Sequence, residues 1–382
     1  MRALKWNLYG VAVILVLWVV TDWVSSWQET QSQTHDGSFT SDRLFSADAA
    51  DLTRTTVVPY LDWPVTDTEN LLWCGTFQLV WNATCELVGG DLHFKDDPRM
   101  VELLNRRSFT RQGIDESSIV ALAGFVRDDV FAKIDRELAT KFQGQAKARF
   151  KPSPDLTPRP QDIVAYAYLF KNLEFATPFE QIAEPLKIRH TKIPCFGIGE
   201  TPKHQHVAML EQVVIFDYQS ENDFVIELKS KSVEDRLILA KVPPAAKLDE
   251  TVRAVLARTE NVTPTPAEYG DVLKVPKFNF DITRDYNELV GLRLVVNNPQ
   301  VADDLRILSA VQNVRFQLDE RGVRLRSESH MALGCAKAPQ PPPTRHIMVF
   351  DQPFLLLLQR KDSPVPYFAM WVANPELCGP AR

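Results

Sequence analysis

The chain has 382 residues, 45% of them apolar and 24% charged, which is an ordinary globular composition. Its net charge of −6 excludes a general nucleic-acid or heparin-type role carried by bulk charge. The length allows two domains, but one large mixed domain fits it equally well.

The N-terminus has the layout of a targeting segment. Arg2 and Lys5 precede the apolar run 8–20, "LYGVAVILVLWVV", which is shorter than the roughly 20 residues a membrane-spanning helix needs. Residues 1–26 are expected to be a signal peptide, with Val24 and Ser26 as the small residues before the cut. The alternative is an uncleaved anchor over 8–24, with Trp18 and Trp23 at the interface. The first reading implies a secreted, extracellular protein. Residues 27–50 are rich in Ser, Thr, Asp and Gln and are expected to be a flexible leader.

Next, 70–90, "NLLWCGTFQLVWNATCELVGG", predicts a buried helix closed by two glycines. Its sequon at Asn82 is a poor glycosylation site for that reason; Asn261, in a polar loop, is the better one. A short helix follows over 97–106, with Pro98 near its start. The segment 117–129 predicts a strand, 130–142 an amphipathic helix, and 162–175 a long strand apolar on both faces. Successive strands are expected over 192–228, a helix over 248–258, a strand over 271–282, a short helix over 285–294 and a strand over 313–320. Two apolar strands, 346–360 and 365–375, close the chain.

The five cysteines have no CxxC or zinc spacing. Cys74 and Cys85 read as buried free thiols, Cys335 lies in an exposed segment, and the disulfide pairing stays open. His204 and His206 in "KHQH" read as a polar turn rather than a metal site. No metal and no cofactor is expected. There is no GxSxG, no glycine-rich phosphate loop and no HExxH, so an enzyme is the weakest reading.

The segment 320–337, "ERGVRLRSESHMALGCAK", is distinctive. From Val323 it alternates: Val323, Leu325, Ser327 and Ser329 on one side, Arg324, Arg326, Glu328 and His330 on the other. That is the period of a strand with one buried face. Yet it runs into "APQPPPT", which no sheet interior accepts.

The order of these pieces resembles the serpin family from about residue 50 to Asn374-Pro375. The stretch 70–90 is similar to the family's buried central helix, and 121–150 to its A-N-A-L-F-V-Q strand and following helix. The stretch 165–179 is similar to the N-A-I-Y-F-K-G strand, 273–294 to the L-P-K-F strand, 309–322 to the strand ending in the E-E-G hinge, and 350–375 to the terminal signature. The resemblance implies an α+β fold: a serpin-like single domain over 51–378, with a large mixed central β-sheet, smaller β-sheets and helices packed around them. It implies that about 320–345 is an exposed reactive-centre loop, with Glu320, Gly322, Val323, Leu325 and Ser327 as the hinge. After a protease cuts it, such a loop enters the main sheet as an extra strand. Counting from Gly322 puts the reactive bond at Ala336–Lys337; counting back from Phe354 lands near Pro342. A trypsin-like enzyme would favour Lys337–Ala338.

The sequence also departs from the family. The Ser-Pro-x-Ser of the central helix becomes Cys74, Gly75, Thr76 and Phe77. The Asn and His of the polar cluster under the sheet correspond to Tyr166 and Gln312, and the Trp near its top to Phe175. Leu325, Arg324 and Arg326 are bulky or charged where inhibitory members carry small residues. Four prolines in 151–162 cannot build the helix that lies across the sheet, and 107–117 has little room for the two family helices expected there, one of which binds heparin in some members. Two readings follow. One is a suicide inhibitor of a serine or cysteine endopeptidase, with a trypsin-like or elastase-like target and a monomeric state. The other is a non-inhibitory carrier, chaperone or binding protein.

Overall fold

The computed structural model describes residues 44–95, 97–143, 146–150, 156–171, 173–295, 304–323 and 345–378. The expected signal segment, most of the expected leader, Leu325, Ser327, Cys335 and the bonds at Ala336, Lys337 and Ala338 lie outside them.

In chain order, β1 (Phe45–Asp48), β2 (Thr55–Val58) and β3 (Asn70–Cys74) lead into α1 (Thr76–Val88), α2 (Arg99–Asn105), β4 (Ile119–Phe125) and α3 (Val130–Phe142). Then come β5 (Ile163–Leu169), β6 (Leu173–Glu174), β7 (Glu180–Ile188), β8 (Thr191–Ile198), α4 (His206–Leu210), β9 (Val213–Ser220), β10 (Asp223–Leu228) and β11 (Asp235–Lys241). The remainder is α5 (Leu248–Ala257), β12 (Thr265–Pro266), β13 (Val272–Pro276), β14 (Phe278–Asp285), β15 (Ile307–Asp319), β16 (Gly322–Val323), β17 (Ile347–Val349), β18 (Phe354–Arg360) and β19 (Phe368–Val372).

These strands make three sheets, as an α+β chain with a large mixed central sheet should. A seven-stranded mixed sheet runs β1-β14-β15-β16-β6, with β5 against the lower part of β15 and β4 outside β5. An eight-stranded sheet runs β12-β9-β10-β11-β18-β19-β3-β2, and a four-stranded one β17-β13-β8-β7. The main apolar core joins inward residues of the first sheet (Ala165, Ala167, Val314, Phe316) to α1 and to the strands β18 and β19, buried throughout except at Arg360. A second cluster on the outer face packs Val130, Ile134, Leu138 and Phe142 of α3 onto Val120, Val164 and Tyr166. The helix periodicity of 130–142 therefore read correctly, and so did the double-glycine stop. Gly89 takes φ +80°, and its N–H and that of Gly90 both reach the carbonyl of Cys85.

Several elements differ from expectation for local reasons. Only the second part of 70–90 is helical. Asn70–Cys74 is a strand buried at every position, and Gly75 makes the corner, where a Cβ would lie 2.6 Å from the Phe109 ring. The expected leader through residue 50 ends earlier, because Phe45–Asp48 pairs in parallel with β14. The expected helix at 285–294 is a set of turns. Gly291 is left-handed (φ +78°), and its N–H and that of Leu294 go to the carbonyls of Ile307 and Leu305 instead of a helical ladder. The strand expected over 162–175 breaks after Leu169 and resumes at Leu173. Among the described residues, no helix is long and apolar enough to cross a membrane.

Asn70 ties the second sheet to the C-terminal segment. It is fully buried; its Nδ2 donates to Thr55 Oγ1 and Asn374 Oδ1 (both 3.0 Å), and its Oδ1 accepts from the N–H groups of Ala373 (2.7 Å) and Asn374 (2.9 Å). Asn70→Ala strands buried donors and acceptors, so it should lower unfolding free energy by about 3–5 kcal/mol. Urea denaturation measures this; a loss under about 1 kcal/mol would contradict it.

Candidate functional site

The site is the seam between β5 and β15. Below, the two strands are direct parallel neighbours, from Ile163 beside Ile307 to Leu169 beside Val314. Above, they are apart, and the gap holds β16. Val323 pairs antiparallel with Leu318 of β15 on one side and with Leu173 of β6 on the other. Gly322 pairs with Asp319 and Glu174 in the same way. The hinge therefore turns back from the end of β15 and enters the sheet as a two-residue strand.

The local sequence permits this turn. Gly322 takes φ +114°, and a Cβ there would sit 2.2 Å from the carbonyl oxygen of Leu173. Val323 follows at 2% exposure, in the core with Leu318 and Leu173. Glu320 is held before the turn by Lys277 Nζ at 2.6 Å. Burial pushes its carboxyl pKa up, but the hydrogen bond and charge of Lys277 outweigh this and hold it below the usual range. The N–H groups of Phe179 and Phe175 donate to the carbonyls of Glu320 (2.8 Å) and Arg321 (2.9 Å). Phe175 thus lies beside the hinge, buried edge-on against Phe179.

Under the seam lies a buried polar cluster. Gln312 Nε2 donates to the carbonyl of Cys74 and to Thr76 Oγ1, each at 3.0 Å, and Gln312 Oε1 accepts from the Tyr286 hydroxyl at 2.9 Å. The Cys74 thiol lies 3.1 Å from Thr76 Oγ1, and burial pushes its pKa up to about 11. Cys74 and Gln312 come together; Tyr166 does not join them. In β5 the alanines 165 and 167 face inward, so Tyr166 faces out under α3, with its hydroxyl buried and without a hydrogen-bond partner. Burial raises its pKa far above the ordinary tyrosine value. The polar partner is instead Tyr286, hidden in a segment that reads as helix.

The lower end of the seam is closed by ions. Asp162, immediately before β5, is fully buried. Its Oδ1 accepts from Arg159 Nε (2.9 Å) and Arg306 Nε (3.0 Å). Its Oδ2 accepts from Arg306 Nη2 and from the N–H of Arg159, both at 2.8 Å. Burial opposes its charge, but the bonds from Arg306 and Arg159 win and hold its pKa below the ordinary carboxylate range. Arg159 Nη1 also reaches Asp304 Oδ2 at 2.5 Å. Above this cluster the outer face is covered by the chain at 146–150, which is neither helix nor strand, and by Leu156, with Phe150 against Tyr166 and Phe131. Among the described residues of 156–162 there is no helix.

Other expected sites are plain. His206 is buried, 3.1 Å from Glu180, and His204 is exposed. No group among the described residues could hold a metal. Asn261 is exposed in a left-handed turn, whereas Asn82 is bonded to Gln78 and to the Phe109 carbonyl. Cys74, Cys85, Cys195 and Cys378 are buried free thiols.

No family profile matches the sequence, and no curated protein matches it either. In three dimensions the chain is similar to Serpin-12 of Manduca sexta, with a TM-score of 0.50 and 13% identity over 81% of this chain and 93% of that one. It is also similar to Serpin48 of the insect Tenebrio molitor (TM-score 0.46, 14% identity, 80% and 92% covered). A third similar structure is thyroxine-binding globulin in complex with thyroxine (TM-score 0.43, 14% identity, 80% and 93% covered). The chain has the serpin fold.

Gly322→Ala tests the inserted hinge. The added methyl cannot fit against Leu173, so β16 should leave the gap and expose Val323, giving up about 2 kcal/mol of burial. Trypsin should then cut at Arg321 or Arg324 at least about tenfold faster, as 1.4 kcal/mol is tenfold in the open population. Unchanged cutting would show that β16 does not depend on the glycine.

Proposed function

We propose that this protein is a protease inhibitor of the serpin type, which traps its target by drawing a cut loop into the seam. The observation that carries this reading is the buried Val323 in a gap between β15 and β6. The loop has its first residues in the sheet, so further entry is an extension of an existing strand, with no new nucleus to form.

The register supports the extension. Continuing antiparallel from Val323–Leu318, Leu325 would lie opposite Phe316, Ser327 opposite Val314 and Ser329 opposite Gln312. Phe316 and Val314 belong to the inward apolar face, and Gln312 to the buried polar cluster. Apolar thus meets apolar, and a serine hydroxyl arrives where hydrogen-bonding groups are gathered. The same alternation would leave Arg324 and Arg326 on the outer face opposite Gln317 and Arg315, both only half-buried. In this reading the target's own serine or cysteine does the chemistry. The inhibitor supplies a scissile bond, and strand entry removes the acyl-enzyme before water completes hydrolysis.

We assign the bond to Lys337–Ala338, which suits a trypsin-like enzyme, or to its neighbour Ala336–Lys337, whose small residue before the cut suits an elastase-like one. The targeting segment at 1–26 and the exposed sequon at Asn261 fit a secreted, monomeric protein acting outside the cell. A second reading is a non-inhibitory binding protein on the same fold. The observation favouring it is the lower seam, shut by Asp162 and Arg306 and covered by Phe150.

A panel of serine and cysteine proteases should yield one covalent complex stable on a denaturing gel, with the loop cut between Met331 and Ala338. Cleaved protein should melt higher than intact protein. A loop cut at that place with no complex and an unchanged melting temperature would favour the binding reading. Leu325→Asp separates the two further. A carboxylate entering opposite Phe316 would cost several kcal/mol or force protonation. The variant should fold normally yet lose both the complex and the rise in melting temperature. Wild-type behaviour from this variant would contradict insertion.

A further inference from the structure

The lower seam carries an arrangement that strand insertion alone does not require. Asp162 directly precedes β5 and Arg306 directly precedes β15, the two strands an incoming strand must part. Arg306 grips Asp162 with two N–H groups on its two carboxylate oxygens, and Arg159 adds a third side-chain bond. The backbone is tied at the same level, where the N–H of Ile163 donates to the carbonyl of Arg306 at 3.0 Å. Both guanidiniums are anchored from behind. Arg306 Nη2 also reaches the Thr157 carbonyl at 2.5 Å, and Arg159 Nη2 the Asp304 carbonyl at 2.9 Å.

We propose that Asp162, Arg306 and Arg159 form a latch that fixes how far a strand can enter the main sheet. What replaces each bond that entry breaks sets how far entry runs. From Leu169 down to Ile163, an incoming strand can unzip the β5–β15 ladder one step at a time. Its own N–H and C=O groups take over each bond lost, so the exchange is nearly even. At the latch this exchange fails. A polypeptide backbone brings neither a guanidinium for Asp162 nor a carboxylate for Arg306. Parting them leaves a charged carboxylate at 0% exposure without its cross-strand partner, which is the costly way to break a buried pair. The forked geometry also makes the step abrupt, because two parallel bonds on one carboxylate cannot be stretched singly. Entry is therefore graded above the latch and stopped at it. Most of the other ion pairs have an exposed partner, and such pairs are worth little.

The consequence for inhibition rests on the proposed function, but the latch itself does not, so the two are tested by separate readouts. The first is native-state hydrogen exchange on the intact full chain, comparing wild type with Arg306→Gln and Asp162→Asn. The amides of 163–168 and 309–314 should exchange at least tenfold faster in the variants, while those of β18 and β19 in the second sheet keep their rates. Unchanged seam amides, or equal acceleration of both sheets, would overturn the latch. Should either variant fail to fold, Arg159→Gln decides by the same comparison, since it keeps the Asp162–Arg306 pair and should quicken only the seam, by about threefold. The second readout is the rise in melting temperature when the loop is cut. It should be larger in Arg306→Gln than in wild type; an equal, non-zero rise would also overturn the latch. If no form shows any rise, insertion fails as a function, while the exchange result still judges the latch.

Discussion

The architecture turns on one constraint: two sheet strands can part only if something else satisfies their backbone groups. The seam obeys it in two ways along its length. From Ile163 to Leu169 the ladder of β5 is completed by β15 itself. At Leu173 and Glu174 it is completed by Gly322 and Val323. Everything of interest lies at the change from one partner to the other. The chain breaks between β5 and β6 there, and the Lys277–Glu320 pair and Phe175 fix the start of the inserted strand.

The two faces of the seam set opposite conditions for movement. The inner face is apolar except at Gln312, where Thr76, Cys74 and Tyr286 meet. A polar cluster bonded within itself holds one arrangement, and a polar newcomer would have to exchange bonds with it. The outer face is open near Arg315 and Gln317 but closed lower down by α3, Phe150 and Leu156. Chain without helix or strand lies there, at 146–150, next to the segment where the family carries a helix. The prolines of 151–162 explain why no helix was expected. They do not reveal that neighbouring residues would still cover the sheet.

Much of this was legible in the residues, and the failures have physical reasons. The alternation at 323–329 and the glycine before it pointed to a strand that follows a turn; Gly322 and Val323 already lie buried in the sheet, where an exposed loop from about residue 320 was expected. The helix at 130–142 and the buried strands at the C-terminus followed from their periods. The misreadings came from segments where pattern is ambiguous. Asn70–Cys74 is apolar at nearly every position, and burial on both faces looks the same for a strand and a helix. The segment 285–294 has helical spacing, but Gly291 and the carbonyls of Leu305 and Ile307 divert its backbone. Tyr166 faces α3 because Ala165 and Ala167 take the inward positions of β5, and a one-residue difference in register exchanges the faces of a strand. Asp162 and Arg306 left no local signal. They are far apart in sequence, and only the parallel pairing of β5 and β15 brings them together.

The central claim is that the seam opens to admit a strand. Spin labels at Ser117, just before the upper end of β4, and Ser46, in β1, would straddle it above the latch on exposed positions. Their separation is to be measured by pulsed electron paramagnetic resonance before and after the loop is cut. Insertion of one strand adds about 5 Å between β5 and β15, so the distance should lengthen by about that amount. A distance unchanged by a completed cut would contradict the account.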